Sequence, residues 1–285
     1  MPDEDEHIME ALGKARVVIK KGKVVEVGEP LIEECPLAKR FARPVESFDK
    51  DSIRANIEER IRTVGMFSKD RKLLCSEDFV PFGASELIAT GLRAGIIDAA
   101  IIAADGAGTV VVTNPSLVQG IGGNMSGLVK TSPISEVIGG IERCGGRVLD
   151  PSSAAIDQQG GAALAKTLGY RSIAVTVTKP EDAAAIREAD PNALIIGVHL
   201  TGISKEGAEL LLEYSDILAG CASRWVRELA GKVALLQAGV SIPVFALTKR
   251  GKDLIAEKIR ETQLKLLVKV ERLPAHGEKE PKPLV

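Results

Sequence analysis

Few side chains in this sequence combine the type and the surroundings that chemistry needs. Of its three histidines, His7, His199 and His276, only His199 follows an apolar strand-like run in the regular part of the chain. It is the one side chain there that titrates near neutrality. The cysteines Cys35, Cys75, Cys144 and Cys221 lie 40, 69 and 77 residues apart without a C-x-x-C pair, so spacing assembles no zinc or iron–sulfur set and no metal is expected. Free thiols in a reducing compartment are the expectation. Two glycine-rich stretches are more informative. Asp105-Gly-Ala-Gly-Thr109 and Gln119-Gly-Ile-Gly-Gly-Asn-Met-Ser-Gly127 both allow backbone to approach a ligand closely. Neither matches the G-x-G-x-x-G dinucleotide fingerprint, and no Walker, G-x-S-x-G or H-E-x-x-H motif is present.

These residues must be held by a sheet edge. From residue 145 onward, β-branched runs at 147–149, 172–178, 194–199, 216–219 and 242–248 alternate with helical stretches, among them 155–168, 180–189, 205–214 and 249–262. Apolar strands separated by helices predict a doubly wound, mostly parallel, Rossmann-like α/β sheet. Ligands of such sheets bind beyond the carboxyl ends of the strands, where helix N-termini present unpaired N–H groups. The expected ligand-binding residues are therefore Asp105, Gly106, Gly108, Thr109, Gly120, Gly122, Gly123, Asn124 and Ser126 on the glycine loops. Thr178, His199, Thr201 and Thr248 join them at strand tips. Valine at both Gly106 and Gly108 is expected to abolish ligand binding. Upstream, residues 1–75 read as a small α+β lobe, with a hairpin at 16–27 turning at Lys21-Gly22 and a helix capped by Asp51. Residues 76–270 form the main domain, with a last strand expected at 264–270, and 271–285 a disordered tail.

Composition narrows the partners. The 285 residues carry 37 Lys plus Arg against 39 Asp plus Glu, and aromatics are 3%, which argues against nucleic acid. No apolar run is long enough to span lipid, and the acidic start is unlike a secretory signal, so a cytoplasmic protein away from membranes is expected.

Taken together, the hairpin, Cys35-Pro-Leu37, Gly65-Met-Phe67, Phe82-Gly-Ala-Ser-Glu86, the two glycine stretches, Ser126-Gly-Leu128 and Lys130-Thr131 resemble the methanogenesis marker protein 8 family over about residues 7 to 270. The resemblance implies an archaeal protein linked to methanogenesis and brings no catalytic residues with it. A weaker likeness is to the pyridinol methyltransferase of iron-guanylylpyridinol cofactor biosynthesis, which implies a Rossmann-like fold binding S-adenosylmethionine. Two readings follow. In one, the chain binds a small-molecule or nucleotide-like ligand, S-adenosylmethionine ahead of NAD or NADP, for methyl transfer in cofactor biosynthesis. In the other it is a non-catalytic accessory protein docking on a methanogenesis enzyme. A homodimer is compatible with both.

Overall fold

The computed structural model of the chain describes residues 5–41, 43–125 and 127–285. Ser126, one of the expected ligand residues, lies outside them.

The hairpin forms as its sequence directs. Strands β2 (Arg16–Lys20) and β3 (Lys23–Val27) turn at Lys21 and Gly22, whose φ angles of 50° and 68° suit the twist of a two-residue turn. Two further strands complete a sheet around it. β1 (Glu6–Glu10) pairs antiparallel with β2, and its other edge takes β6 (Gly127–Lys130) from the middle of the chain, giving the order β3-β2-β1-β6. The small lobe is therefore not built from residues 1–75 alone. Helix α1 (Lys50–Val64) covers this sheet, and Met9, Val17, Ile19, Ile53, Ile57 and Phe67 fill the space between. Its N-cap is Asp49 rather than Asp51, because the Asp49 carboxylate accepts the Ser52 N–H at 2.7 Å in a capping box.

The second sheet runs β11-β12-β10-β9-β8-β4-β5-β7. Its centre is parallel: β4 (Ala99–Ala104), β8 (Ile173–Val177), β9 (Leu194–Gly197) and β10 (Ile217–Ala219). Antiparallel strands flank it, β5 (Gly108–Val112) and β7 (Arg147–Val148) on one side, β11 (Leu236–Ala238) and β12 (Val244–Ala246) on the other. Among the described residues, seven strand pairs are antiparallel and three parallel, which corrects the expectation of a mostly parallel sheet. The reason is local: Gly106 and Gly108, at φ 78° and 71°, turn the chain straight back after β4.

Helices cover both faces. Alternate residues of β4 point to opposite sides, Ala100 and Ile102 toward α2 (Ala84–Arg93), α3 (Pro115–Gly122), α4 (Ser135–Arg143) and α9 (Lys249–Glu261). Ala99 and Ile101 face α5 (Gln158–Thr167), α6 (Pro180–Ala189), α7 (Lys205–Tyr214) and α8 (Arg224–Val233). The parallel strands are added in one direction only, with α5, α6 and α7 preceding β8, β9 and β10 on one face. The winding therefore never reverses between parallel strands, so a doubly wound arrangement with its switch point is not what this topology builds.

The second glycine stretch is also not a loop. Asn114 caps α3, Pro115 takes its first position, and Gly120 and Gly122 lie inside the helix. Two expectations about the C-terminal region change as well. Residues 264–270 form no described strand, and Leu267, Val268 and Val270 are exposed. The tail is pinned instead of free, with Lys282 bridging Glu34 and the Val285 N–H donating to Ala222 O at 2.9 Å. No helix among the described residues is long and apolar enough to cross a membrane.

Candidate functional site

The small sheet lies across the carboxyl ends of β4 and β9, and the polar side chains of both lobes meet in that seam. Its inner part is closed. Asp105, directly after β4, accepts the Phe67 N–H at 2.8 Å and the Arg71 Nε–H at 3.0 Å, with both side chains essentially without solvent contact. The same guanidinium donates to Gly120 O at 3.0 Å, so Arg71 ties the two glycine stretches to each other. Beside it, Thr131 Oγ accepts the Gly106 N–H at 2.7 Å and lies 2.7 Å from Nδ1 of the buried His7. The Ser132 N–H also points at Nδ1, 3.4 Å away, so Nδ1 is the accepting nitrogen, the Thr131 hydroxyl donates to it, and His7 Nε2–H is left for Asp5 at 2.9 Å. Burial pushes the His7 pKa below its ordinary 6.5 despite Asp5, consistent with this neutral tautomer.

Convergence of the two stretches thus comes with a filled interior. A side chain on Gly108 would meet Ala154 O at 2.2 Å, and one on Gly106 would meet the Ile134 side chain at 2.9 Å. These glycines make room for protein, not for a ligand, and valine there would break packing first. The Thr109 hydroxyl is likewise spent, donating to Gln158 Oε1 and accepting the Asp157 N–H. Gly120 lets α3 approach Leu73 O, where a Cβ would sit 2.0 Å away, while Gly122 faces Ser85 and Gly123 faces Phe79. Asn124 contributes its carbonyl to Arg60. Thr178 is exposed one residue before Lys179, the N-cap of α6. Thr248 sits at the opposite rim of the sheet, because β12 runs antiparallel to β10; there it caps α9 and bonds Asp216.

The outer part of the seam is half open. His199 follows β9 and holds a left-handed φ of 59°, and its Nε2 lies 2.7 Å from Glu10 Oε2 at the end of β1. Lys14 stands 3.8 Å from the same carboxylate and donates to Thr201 O at 2.9 Å. Burial raises the Glu10 pKa, but its bonds to His199 and Lys14 outweigh that and leave it below the usual carboxylate value. Next to this group, Cys221 follows β10 at φ 45°, so that with Lys14 at φ 62° three non-glycine residues here lie in the left-handed region. Such conformations cost about 1–3 kcal/mol each and gather at functional sites. Its thiol receives the Leu200 and His199 N–H groups, yet burial dominates and pushes its pKa up. Cys221 therefore rests as a neutral thiol, as does Cys35 for the same reason.

A glutamate at the end of a five-residue strand and a lysine in a turn carry no local signal, so sequence reading finds His199 and Thr201 but misses Glu10 and Lys14. It also misses a separate cavity of about 770 Å³ on the outer side of α2 and α9, lined by Asp78, Arg93, Lys258 and Glu261 among others. Among the described residues no three His, Cys, Asp or Glu side chains are grouped to hold a metal.

Comparison with known proteins agrees with the extent of this architecture. Residues 7–260, spanning both sheets and nearly all of α9, match the model of a family described as an uncharacterized protein conserved in archaea (DUF2099). Over 285 residues the chain is 46% identical to the uncharacterized protein MJ0054 of Methanocaldococcus jannaschii, covering 99% of this chain and 100% of that protein. A match across both lobes, at that identity and coverage, means that the chain belongs to this archaeal family.

Proposed function

We propose that the protein binds a small organic ligand in the outer seam and acts on it with His199 as proton acceptor. The observation that carries this reading is the His199–Glu10–Lys14 group, contributed by both lobes at a strand tip and open to solvent on one side. Glu10 accepts the Nε2 proton, which leaves Nδ1 as the nitrogen that can take a proton, and the bonds of Glu10 to His199 first and Lys14 second favour its ionised form against burial. An imidazole oriented by a carboxylate is suited to taking a proton from a hydroxyl or thiol acceptor. That is the role needed if the reaction is methyl transfer from S-adenosylmethionine in cofactor biosynthesis, the class suggested by the likeness to the pyridinol methyltransferase alone. The test is calorimetric titration with S-adenosylmethionine, S-adenosylhomocysteine, NAD and NADP. Heat from the first two, weakened about tenfold or more in Lys14→Met, is the expected result, and no heat from any of the four overturns the cofactor assignment.

The accessory reading is favoured by a different observation, the exposed apolar run at Leu266, Leu267, Val268 and Val270. Large contiguous apolar exposure marks interaction surfaces. It predicts that Leu267→Lys with Val268→Lys leaves ligand binding intact while abolishing activation of a methanogenesis enzyme in a reconstituted assay; unchanged activation would sink it.

A further inference from the structure

The cavity of about 770 Å³ lies apart from the seam, between the start of α3, the ends of α2 and α9, and the segment 76–81. Its volume falls in the range of small-molecule sites, roughly 300–1,000 Å³. Charge alternates along one wall. Lys258, with a side chain only 2% exposed, places its ammonium 2.5 Å from Asp78 Oδ2 and 3.6 Å from Glu261 Oε2, and Glu261 in turn pairs with Arg93. The four charged lining residues sum to zero. Phe79, Pro81, Pro115 and Leu264 add apolar lining.

The wall formed by segment 76–81 is braced from behind at some cost. Glu86, 1% exposed, accepts the Phe79 and Val80 N–H groups at 3.0 and 3.2 Å, Gln119 Nε2 at 2.9 Å and Ser85 Oγ at 3.0 Å. Among the described residues it has no salt-bridge cation. Burying a carboxylate without a counter-charge is expensive, so this arrangement is tolerated only where the geometry it fixes is over-determined. What it fixes is the backbone at Phe79 and Val80, directly after Asp78 on the cavity wall.

We propose that this cavity is a binding site for a small zwitterion with an apolar side chain, the chemistry of a free aromatic or large aliphatic amino acid. A carboxylate meets Lys258 and Arg93, an ammonium meets Asp78 and Glu261, and the apolar group lies against Phe79, Pro115 and Leu264. A doubly anionic ligand would face two carboxylates without compensation, and a dication two cations, whereas a molecule carrying one of each leaves every wall charge paired. The site is independent of the seam and of its reaction.

Calorimetry on the full chain tests it with L-phenylalanine, phenethylamine, which lacks the carboxylate, and phenylpropionate, which lacks the ammonium. The expected result is millimolar or tighter binding of L-phenylalanine, with each one-ended analogue weaker by about tenfold or more. Lys258→Met should abolish binding, and Arg93→Gln, at a side chain 42% exposed, should weaken it by about fivefold with little change in the urea midpoint. Absence of heat from L-phenylalanine, equal affinity for all three compounds, or unchanged affinity in Arg93→Gln overturns the proposal.

Discussion

Asp105 is the residue on which the inner seam turns. Its carboxylate is matched to the Arg71 guanidinium where neither reaches water, so removing it leaves a buried cation with no counter-charge. Asp105→Ala should lose about 3–5 kcal/mol of unfolding free energy in a urea titration, and a loss under about 1 kcal/mol would show the pair to be dispensable. His7 supplies a pH dependence with a definite sign. Its folded pKa is depressed below 6.5, so the unfolded chain binds the proton more readily. The stability it contributes is complete above about 6.5 and is lost as pH falls from there through the folded value. His7→Gln should flatten the acid side of the stability–pH curve between that limit and the folded pKa; a curve of unchanged slope would remove His7 from the account.

At the level of elements, position 108 separates two effects of glycine. At Gly95, with φ 67° and no atom within 4 Å of the place a methyl group would take, alanine meets only the left-handed penalty of about 1–2 kcal/mol. At Gly108 the same conformation is combined with a contact to Ala154 O at 2.2 Å. Gly108→Ala should therefore be the more destabilising by at least about 1 kcal/mol, read as the difference in urea midpoints, and equal losses would deny the close approach. Local signals also explain what is readable in advance. Helices α6 and α7 fall on the residues their pattern predicts, because Pro180 opens one and the Ser204 side chain caps the other by accepting the Gly207 N–H. Strands β1, β6 and β11 escape such reading, being three to five residues long and defined by distant partners. The site divides in the same way: His199 announces itself at a strand tip, whereas the Glu10 that orients it lies 189 residues earlier in the chain.

Across the whole molecule, the two lobes are joined at three places along the chain. Besides the inner and outer seam, the terminal segment crosses between them: Glu33 N–H donates to Lys282 O at 2.6 Å, and Arg224 N–H to Val285 O at 2.9 Å. Deleting residues 282–285 removes the acceptors of both amides. Their hydrogen exchange should rise by about fivefold or more, the equivalent of about 1 kcal/mol for a lost bond, while amides of β8 and β9 stay protected. Unaltered exchange at Glu33 and Arg224 would show that the crossing segment holds nothing. The recruitment of β6 into the small sheet has a temporal consequence. A ribosome delivers β1, β2 and β3 long before residues 127–130 emerge, so the growing polypeptide carries an open β1 border through roughly a hundred further additions, several seconds at about 5–20 residues per second. The first lobe to be made thus waits for the middle of the chain before its sheet is complete, and over that interval its bare strand is the place where a chaperone, or another nascent copy, would first find purchase.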